Sequence, residues 1–446
     1  MFVARFFEIR VPKLGMGILT RVYGANRGRN EGKDRKFQVH PGGWMVVDDG
    51  GRRKIWVLIV AFVDQLAITM SQQGLSILSE AFKQYAHLGI AQMGILFSTV
   101  ALGAVVGMIP AGFALARYGL KTVAWVSGIA IVGIMGSLAW FLPRAFTPLI
   151  VLLGFVGFFL PALSLTGTTA ITRIYGGSKD EGTAIGLRQA ATPLGGIVAA
   201  SVFPLLIKHW NLKTVLGLIA INVGLWRLLF AWVLPSRPQN NSDRIPPNVR
   251  EFDCRPIRRR LLALKFPLLV SFLLSPGQYV LLTYAILDLH GRWRVALTVA
   301  GPVIALALLS GFVVRIVAGV LSDKGVPLLR LFQAVALTGI VSLVLWAVLP
   351  ASLPFWGGLA VIGGLGAGLD GWNGLLTAWV AQMSTTTERG MTLGLIGMAG
   401  FIGIVLFLPV FGEIVRTFAS YRPAWALLAL VYLGGVAVIG RGLERK

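Results

Sequence analysis

Twelve predominantly apolar runs, each about 20 residues or longer, follow one another along this chain. They lie at roughly 55–77, 90–115, 122–142, 147–172, 183–207, 213–235, 266–288, 295–321, 328–350, 354–380, 391–414 and 422–440. A helix of about 20 residues spans the ~30 Å hydrocarbon core of a bilayer, so each run is long enough to cross. The runs are continuously apolar and do not alternate residue by residue, which argues for helices over a barrel. Composition agrees, with 56% hydrophobic and only 13% charged residues, far from the balance of a soluble domain. Glycine and proline are plentiful (55 and 21), as packed membrane helices tolerate. The predicted fold class is an all-α integral membrane protein.

Two passages recur about half a chain apart. Glu181-Gly182-Thr183-Ala184-Ile185-Gly186-Leu187 returns 208 residues later as Arg389-Gly390-Met391-Thr392-Leu393-Gly394-Leu395, and Ile109-Pro110-Ala111-Gly112 returns 207 residues on as Ile316-Val317-Ala318-Gly319. Each passage lies where an apolar run meets a polar connection. A membrane protein of two similar halves suggests a site between them that opens to either side, an architecture that moves solutes and rarely performs covalent chemistry. The expected organisation is a basic tail 1–54, a six-helix half 55–235, a central loop 236–265, a second six-helix half 266–440 and a short tail 441–446.

The net charge of +23 reflects topology. With both termini cytoplasmic, 30 Lys/Arg fall in cytoplasmic segments, 8 in outer connections and 3 inside spans. This is the positive-inside bias, and twelve spans return the chain to its starting side. Segment 236–265 carries eight basic residues against Asp243, Glu251 and Asp253, which suits attraction to anionic lipid. No aromatic-basic folded module accompanies the charge, so nucleic acid is not an expected partner. The single cysteine, Cys254, allows no intramolecular disulfide. The scattered His40, His87, His209 and His290 lack ligand spacing, so no metal or other cofactor is expected. Residues 1–54 hold 12 Lys/Arg against 5 Asp/Glu without a signal-peptide pattern. They read as a cytoplasmic tail or as an over-extension ahead of a true start at Met45.

Twelve spans in two six-span halves with a basic central loop resemble the major facilitator superfamily, over about residues 55–440. Its marker motif, G-x-L-x-D-R/K-x-G-R-K/R, follows spans 2 and 8. The second copy here is Gly319-Val320-Leu321-Ser322-Asp323-Lys324-Gly325, one residue short before its glycine. The first is Gly112-Phe113-Ala114-Leu115-Ala116-Arg117-Tyr118-Gly119-Leu120-Lys121, with Ala116 where the family has its aspartate. The resemblance implies a gating role for Gly112, Arg117, Gly119, Lys121, Arg315, Gly319, Asp323 and Lys324, with an altered latch at Ala116. Span 5 opens Gly186-Leu187-Arg188-Gln189 and continues Thr192-Pro193-Leu194-Gly195-Gly196, similar to bacterial permeases and partly to the antiporter motif G-P-x-x-G-G. Gly371-Trp372-Asn373-Gly374 in span 10 also resembles those permeases.

An ionised side chain in hydrocarbon needs a partner, a wet cavity or a purpose. Asp64 lies nine residues into span 1, about 13–14 Å deep and near the midplane. Gln65, Thr69, Gln72 and Ser76 form a polar stripe beside it, and Asp370, Asn373 and Thr377 are the counterpart in span 10. The resemblance implies that spans 1, 4, 7 and 10 line a central cavity, adding Ser164, Thr168, Thr169, Ser275, Gln278, Tyr279 and Tyr284. Asp64 and Asp370 are candidate proton or cation sites, or else structural acids. Arg188 and Gln189 are candidates for substrate or inner gate, Arg315 is expected to pack at a gate, and Arg227 is expected to snorkel to the cytoplasmic face. Glu413 is expected to be solvated, and Trp372 to flank the cavity. Trp56, Trp140, Trp210, Trp293 and Trp356 are expected as interface anchors.

The expected function is a secondary active transporter of a small organic solute working by alternating access. Proton-coupled uptake of a metabolite or organic acid is favoured, with an efflux antiporter as the alternative. A transport-inactive sensor and a lipid-acting enzyme are more remote. No G-x-x-x-x-G-K-[S/T] phosphate loop is present, so the chain has no ATPase of its own. Expected partners are the small-molecule substrate, a coupling proton and the lipid bilayer. The expected setting is a monomer in the plasma membrane, the inner membrane if bacterial.

Overall fold

The computed structural model describes residues 49–176, 180–234, 261–350, 355–384 and 389–443. Residues Arg53–Lys446 form one compact unit, and Met1–Arg52 a separate one, of which only the opening of the first helix is described. The Met45 reading and Cys254 lie outside the described residues.

The described chain is helical throughout: α1 (Asp49–Ile77), α2 (Ser79–Ala86), α3 (Ile90–Tyr118), α4 (Leu120–Phe141), α5 (Phe146–Tyr175), α6 (Glu181–His209), α7 (Leu212–Val233), α8 (Lys265–Gly291), α9 (Leu297–Asp323), α10 (Leu328–Val348), α11 (Phe355–Asp370), α12 (Asn373–Gln382), α13 (Arg389–Phe418) and α14 (Arg422–Leu443). Eleven of these are long and apolar enough to cross a membrane. Large apolar side chains such as Ile109, Trp140 and Trp232 stand on the outside, as a hydrocarbon solvent requires.

The tenth expected span differs from expectation: it is two helices, α11 and α12, interrupted at Gly371-Trp372. The cause is visible. Arg315 of α9 donates from Nε (3.0 Å) and Nη2 (2.8 Å) to the Asp370 carbonyl, engaging an acceptor that a continuous helix would use. Helix α2 is an addition to the expected spans: its eight residues are too few and too polar to read as a crossing. It caps the end of α1, with Phe82 fully buried and Ser79 Oγ donating to the Thr283 carbonyl of α8 at 3.0 Å.

The repeated passages adopt the same structure. Glu181 and Arg389 each open a helix. The glycines that end the two marker motifs, Gly119 (φ 81°) and Gly325 (φ 92°), both have left-handed backbone where a side chain would be strained. The connections around them differ: Gly119 alone joins α3 to α4, whereas Lys324–Pro327 lie between α9 and α10.

Glycines also set how closely helices approach. A Cβ at Gly157 of α5 would collide with the Val100 carbonyl of α3, and one at Gly107 with the Phe158 carbonyl. Between the first and last six crossings, Gly94 of α3 abuts the Leu408 carbonyl of α13 and Gly301 of α9 abuts the Ala200 carbonyl of α6. The Gly94 and Gly301 contacts lie on the side where α1 ends. On the opposite side, where α7 ends and α8 begins (the linker side), Gly112, Gly186, Gly319 and Gly394 face open space. The halves meet backbone to backbone on the side where α1 ends, and the space between them lies toward the linker side, at Gln189, Ser271 and Leu393. Gly157→Val should therefore destabilise the protein by about 1–3 kcal/mol through overpacking. A lowered unfolding midpoint in detergent checks this; an unchanged midpoint would remove the close α3–α5 approach from the account.

Candidate functional site

Two guanidinium groups meet the polar stripe of α1 inside the first six crossings. Asp64 and Arg227 are both fully buried and form an ion pair at 3.0 Å (Nη1 to Oδ2). Arg227 also donates to the Leu163 carbonyl at 3.3 Å, to Ser127 Oγ at 3.2 Å and to Thr166 Oγ1. Its guanidinium stands 5.3 Å from the Phe230 ring. The expected snorkelling of Arg227 is thus corrected: α7 turns this residue inward, against Gly128 of α4, and Asp64 supplies the opposing charge. Asp64 Oδ1 keeps no hydrogen-bond partner.

One residue along α1, Gln65 meets the second guanidinium. Arg188 Nη2 donates to Gln65 Oε1 at 2.5 Å and to the Ser164 carbonyl at 3.1 Å, and Nη1 donates to Thr168 Oγ1 at 2.9 Å. Gln65 in turn donates to Thr69 Oγ1 and Thr192 Oγ1, at 3.2 and 3.5 Å. Arg188 is only 2% exposed, yet all its partners are neutral and its Nε has none. The guanidinium lies flat against α5 because residue 167 is glycine; a Cβ there would overlap it. Sequence reasoning missed Gly167, which carries no signal apart from its neighbour in space.

The last six crossings hold a second pair. Arg315 Nη2 reaches Asp370 Oδ1 at 2.7 Å, Gln278 Nε2 donates to the same oxygen at 2.5 Å, and Asn373 Nδ2 donates to Gln278 Oε1 at 3.3 Å. Beside this network is a cavity of ≈ 310 Å³, near the lower end of the range for small-molecule sites. Its polar lining is Gln189, Ser271, Ser275, Gln278, Tyr279, Asn373 and Thr377, with Phe401 and Ile404 among the apolar wall. Spans 7 and 10 contribute as expected, but spans 5 and 11 supply the rest. Asp64, Gln65, Ser164, Thr168 and Arg188 belong to the clusters on α1 instead, although Gln189, adjacent to Arg188, reaches the cavity. Gln72 Nε2 donates to Tyr279 Oη at 2.6 Å, tying α1 to α8. Trp372 does not flank the cavity: it is 1% exposed, stacked parallel to Phe332 of α10, with Nε1 bonded to the Leu369 carbonyl. The helix break at Gly371 turns its ring outward to that neighbour.

A third buried carboxylate escaped the sequence reading. Asp288 of α8 accepts from Arg292 Nη2 (3.0 Å) and from the indole nitrogens of Trp346 and Trp425 (2.9 Å each) through one oxygen. Trp293, half-buried just past the end of α8, stacks on Trp346 at 5.1 Å. Outside the spans, burial pulls the Arg292 guanidinium below its ordinary range, with Asp288 acting in the opposite sense, and burial pushes the Tyr421 phenol up. Glu80 of α2 is buried as well, bonded to Gln84 at 3.0 Å and Lys83 at 3.4 Å. No cluster of His, Cys, Asp and Glu suited to a metal is found among the described residues.

Residues 57–375 match the family model of the Major Facilitator Superfamily. The chain belongs to that superfamily. In agreement, the nucleoside transporter NupG superposes with a TM-score of 0.69 at 16% identity, covering 88% of this chain and all of that one. A D-xylose-proton symporter superposes at 0.68 and 15%, covering 86% and 97%. A hexuronate transporter of Bacillus subtilis (strain 168) is 23% identical over 193 residues, 43% of this chain and 45% of that protein. The match thus spans less than half of that relative. These are transporters, not enzymes.

Within this superfamily member, the marker-motif residues sit at the open linker side. Arg117 stands over the Tyr118 ring at 5.6 Å, and Lys324 caps α9. Arg315 is tied to Asp370, and the Asp323 side chain lies outside the described residues. Trp56, Trp140 and Trp210 are exposed near helix ends, and Glu413 is solvated and paired with Arg416. The buried Asp64–Arg227 pair leads to a double-mutant expectation. Asp64→Asn and Arg227→Gln should each destabilise the protein by about 3–5 kcal/mol, since each strands one charge. The double variant should lose clearly less than the sum, read from unfolding midpoints in detergent.

Proposed function

We propose that this protein is a proton-coupled secondary transporter that takes up a small organic acid by alternating access, as a monomer in the plasma membrane with both termini cytoplasmic. The observation that carries the reading is the charge inventory of the first six crossings. Two buried guanidiniums stand against one carboxylate there: Asp64 pairs with Arg227, and Arg188 is held only by neutral groups, one residue from the cavity-lining Gln189. A carboxylate-bearing solute complements that excess charge, and the amides and hydroxyls of the cavity suit its hydroxyl groups. The name of the hexuronate transporter and the proton coupling named for the D-xylose symporter support the same direction.

Coupling follows from electrostatics. While Asp64 is ionised, it occupies Arg227. A proton on Asp64 leaves Arg227 without its anion, so the local field favours a bound carboxylate more strongly. Proton and acid then assist each other's binding, and the assistance is reciprocal. The basic loop 236–265 supports a cytoplasmic linker side, and on that reading the open side faces inward.

Proteoliposomes with an inward proton gradient provide the test, with small hydroxylated carboxylates offered alongside neutral sugars and nucleosides. Accumulation of the carboxylates is expected, falling about tenfold or more in Arg188→Gln. Asp64→Asn is expected to lose gradient-driven accumulation while keeping exchange of labelled for unlabelled solute. Accumulation of neutral solutes only, or of acids unaffected by Arg188→Gln, would sink the reading, and outward pumping against the gradient would favour the efflux alternative.

A further inference from the structure

We propose a second ligand site on the flank of the first six crossings: a groove between α3, α4 and α5 that seats one acyl chain of an anionic phospholipid from the linker-side leaflet. The groove encloses ≈ 420 Å³ and is almost wholly apolar. It exists because Gly107, Ala111 and Ala114 recur on one face of α3, so that little side-chain volume fills the space in front of α4. It opens sideways at Val126, which is 58% exposed, and ends at Tyr118, 59% exposed at the last turn of α3.

Two further features identify the occupant. The first is length: from Tyr118 to Gly107 is eleven residues, about 16 Å of helix. That is about half of a ~30 Å hydrocarbon core, the depth of one leaflet. The second is charge. The Arg117 guanidinium stands 5.6 Å over the ring of Tyr118 at the groove mouth, at the level where a lipid phosphate lies. An acyl chain below a negatively charged headgroup satisfies both.

The floor of the groove gives the site a consequence. Ser127 lines it, and the same Ser127 Oγ accepts from Arg227 Nη2 at 3.2 Å. A chain in the groove therefore packs against a direct support of the Asp64–Arg227 pair, with no part of the groove shared with the cavity between α6, α8, α12 and α13. The site is independent of which solute is carried.

The test is native mass spectrometry of the full chain in detergent, offered phosphatidylglycerol or phosphatidylcholine with identical chains. The wild type is expected to retain one phosphatidylglycerol about fivefold more strongly than phosphatidylcholine, the scale of one basic residue beside an anionic headgroup. Arg117→Gln should remove the headgroup preference. Ala114→Phe should abolish retention by filling the groove, and Val151→Phe, exposed on α5 outside the groove, should leave retention unchanged. Val126→Trp fills the groove from the other wall if Ala114→Phe does not give a monodisperse protein. Equal retention of the two lipids by the wild type, or full retention in both groove-filled variants, overturns the proposal. Displacement of phosphatidylglycerol by uncharged apolar compounds, regardless of headgroup, also overturns it and marks a pocket for apolar solutes.

Discussion

Everything polar in this bundle is governed by the cost of an ionised group in hydrocarbon. Asp64, Arg188, Arg227, Asp288 and Asp370 are all 2% exposed or less, so none can rely on bulk water. Four of the five resolve this by ion pairing: Asp64 with Arg227, Asp370 with Arg315, and Asp288 with Arg292. Each pair also draws in neutral donors or acceptors, which is what makes a buried pair tolerable. Arg188 is the exception: its hydrogen-bond partners, Gln65, Thr168 and the Ser164 carbonyl, are all neutral.

The same pairs link helices that the chain keeps far apart. Arg227 of α7 touches groups on α1, α4 and α5, so the first six crossings are pinned at one buried point. Arg315 does the corresponding work in the second half with a different device, capturing a main-chain carbonyl as well as a carboxylate and so breaking the tenth crossing into α11 and α12. The two halves are thus similar in sequence and outline but not in how they hold their charge. Around these points, glycines decide which surfaces close: backbone approaches backbone at Gly94 and Gly301 on the side where α1 ends, and Gly186 and Gly394 stay clear on the other.

Much of the architecture was legible in the sequence. The apolar runs located eleven crossings and the position of the twelfth, and the repeated passages at Glu181 and Arg389 marked equivalent helix starts. The polar stripe on α1 drew attention to Asp64 and Gln65, which the structure places beside Arg227 and Arg188. The partners were not legible. Arg227 looked like a residue at a membrane face because its distance along α7 fixes depth, whereas its direction depends on how α7 is rotated against α4. Trp372 looked cavity-facing for the same reason, and Asp288 went unnoticed because its three partners come from after the end of α8, from α10 and from α14.

What the sequence determined by itself is the set of membrane-crossing segments, their order and the turns that end them. Those depend on the apolar content of each segment and on local backbone preferences, which can be summed along the chain. What only the tertiary structure decided is which charge meets which: that Arg227 belongs to Asp64, that Arg188 is left without a carboxylate, and that the cavity is walled by spans 5, 7, 10 and 11. Those outcomes depend on the rotation and register of each helix against the others. A partial rotation of a helix about its axis changes every contact it makes and leaves its hydrophobicity unaltered.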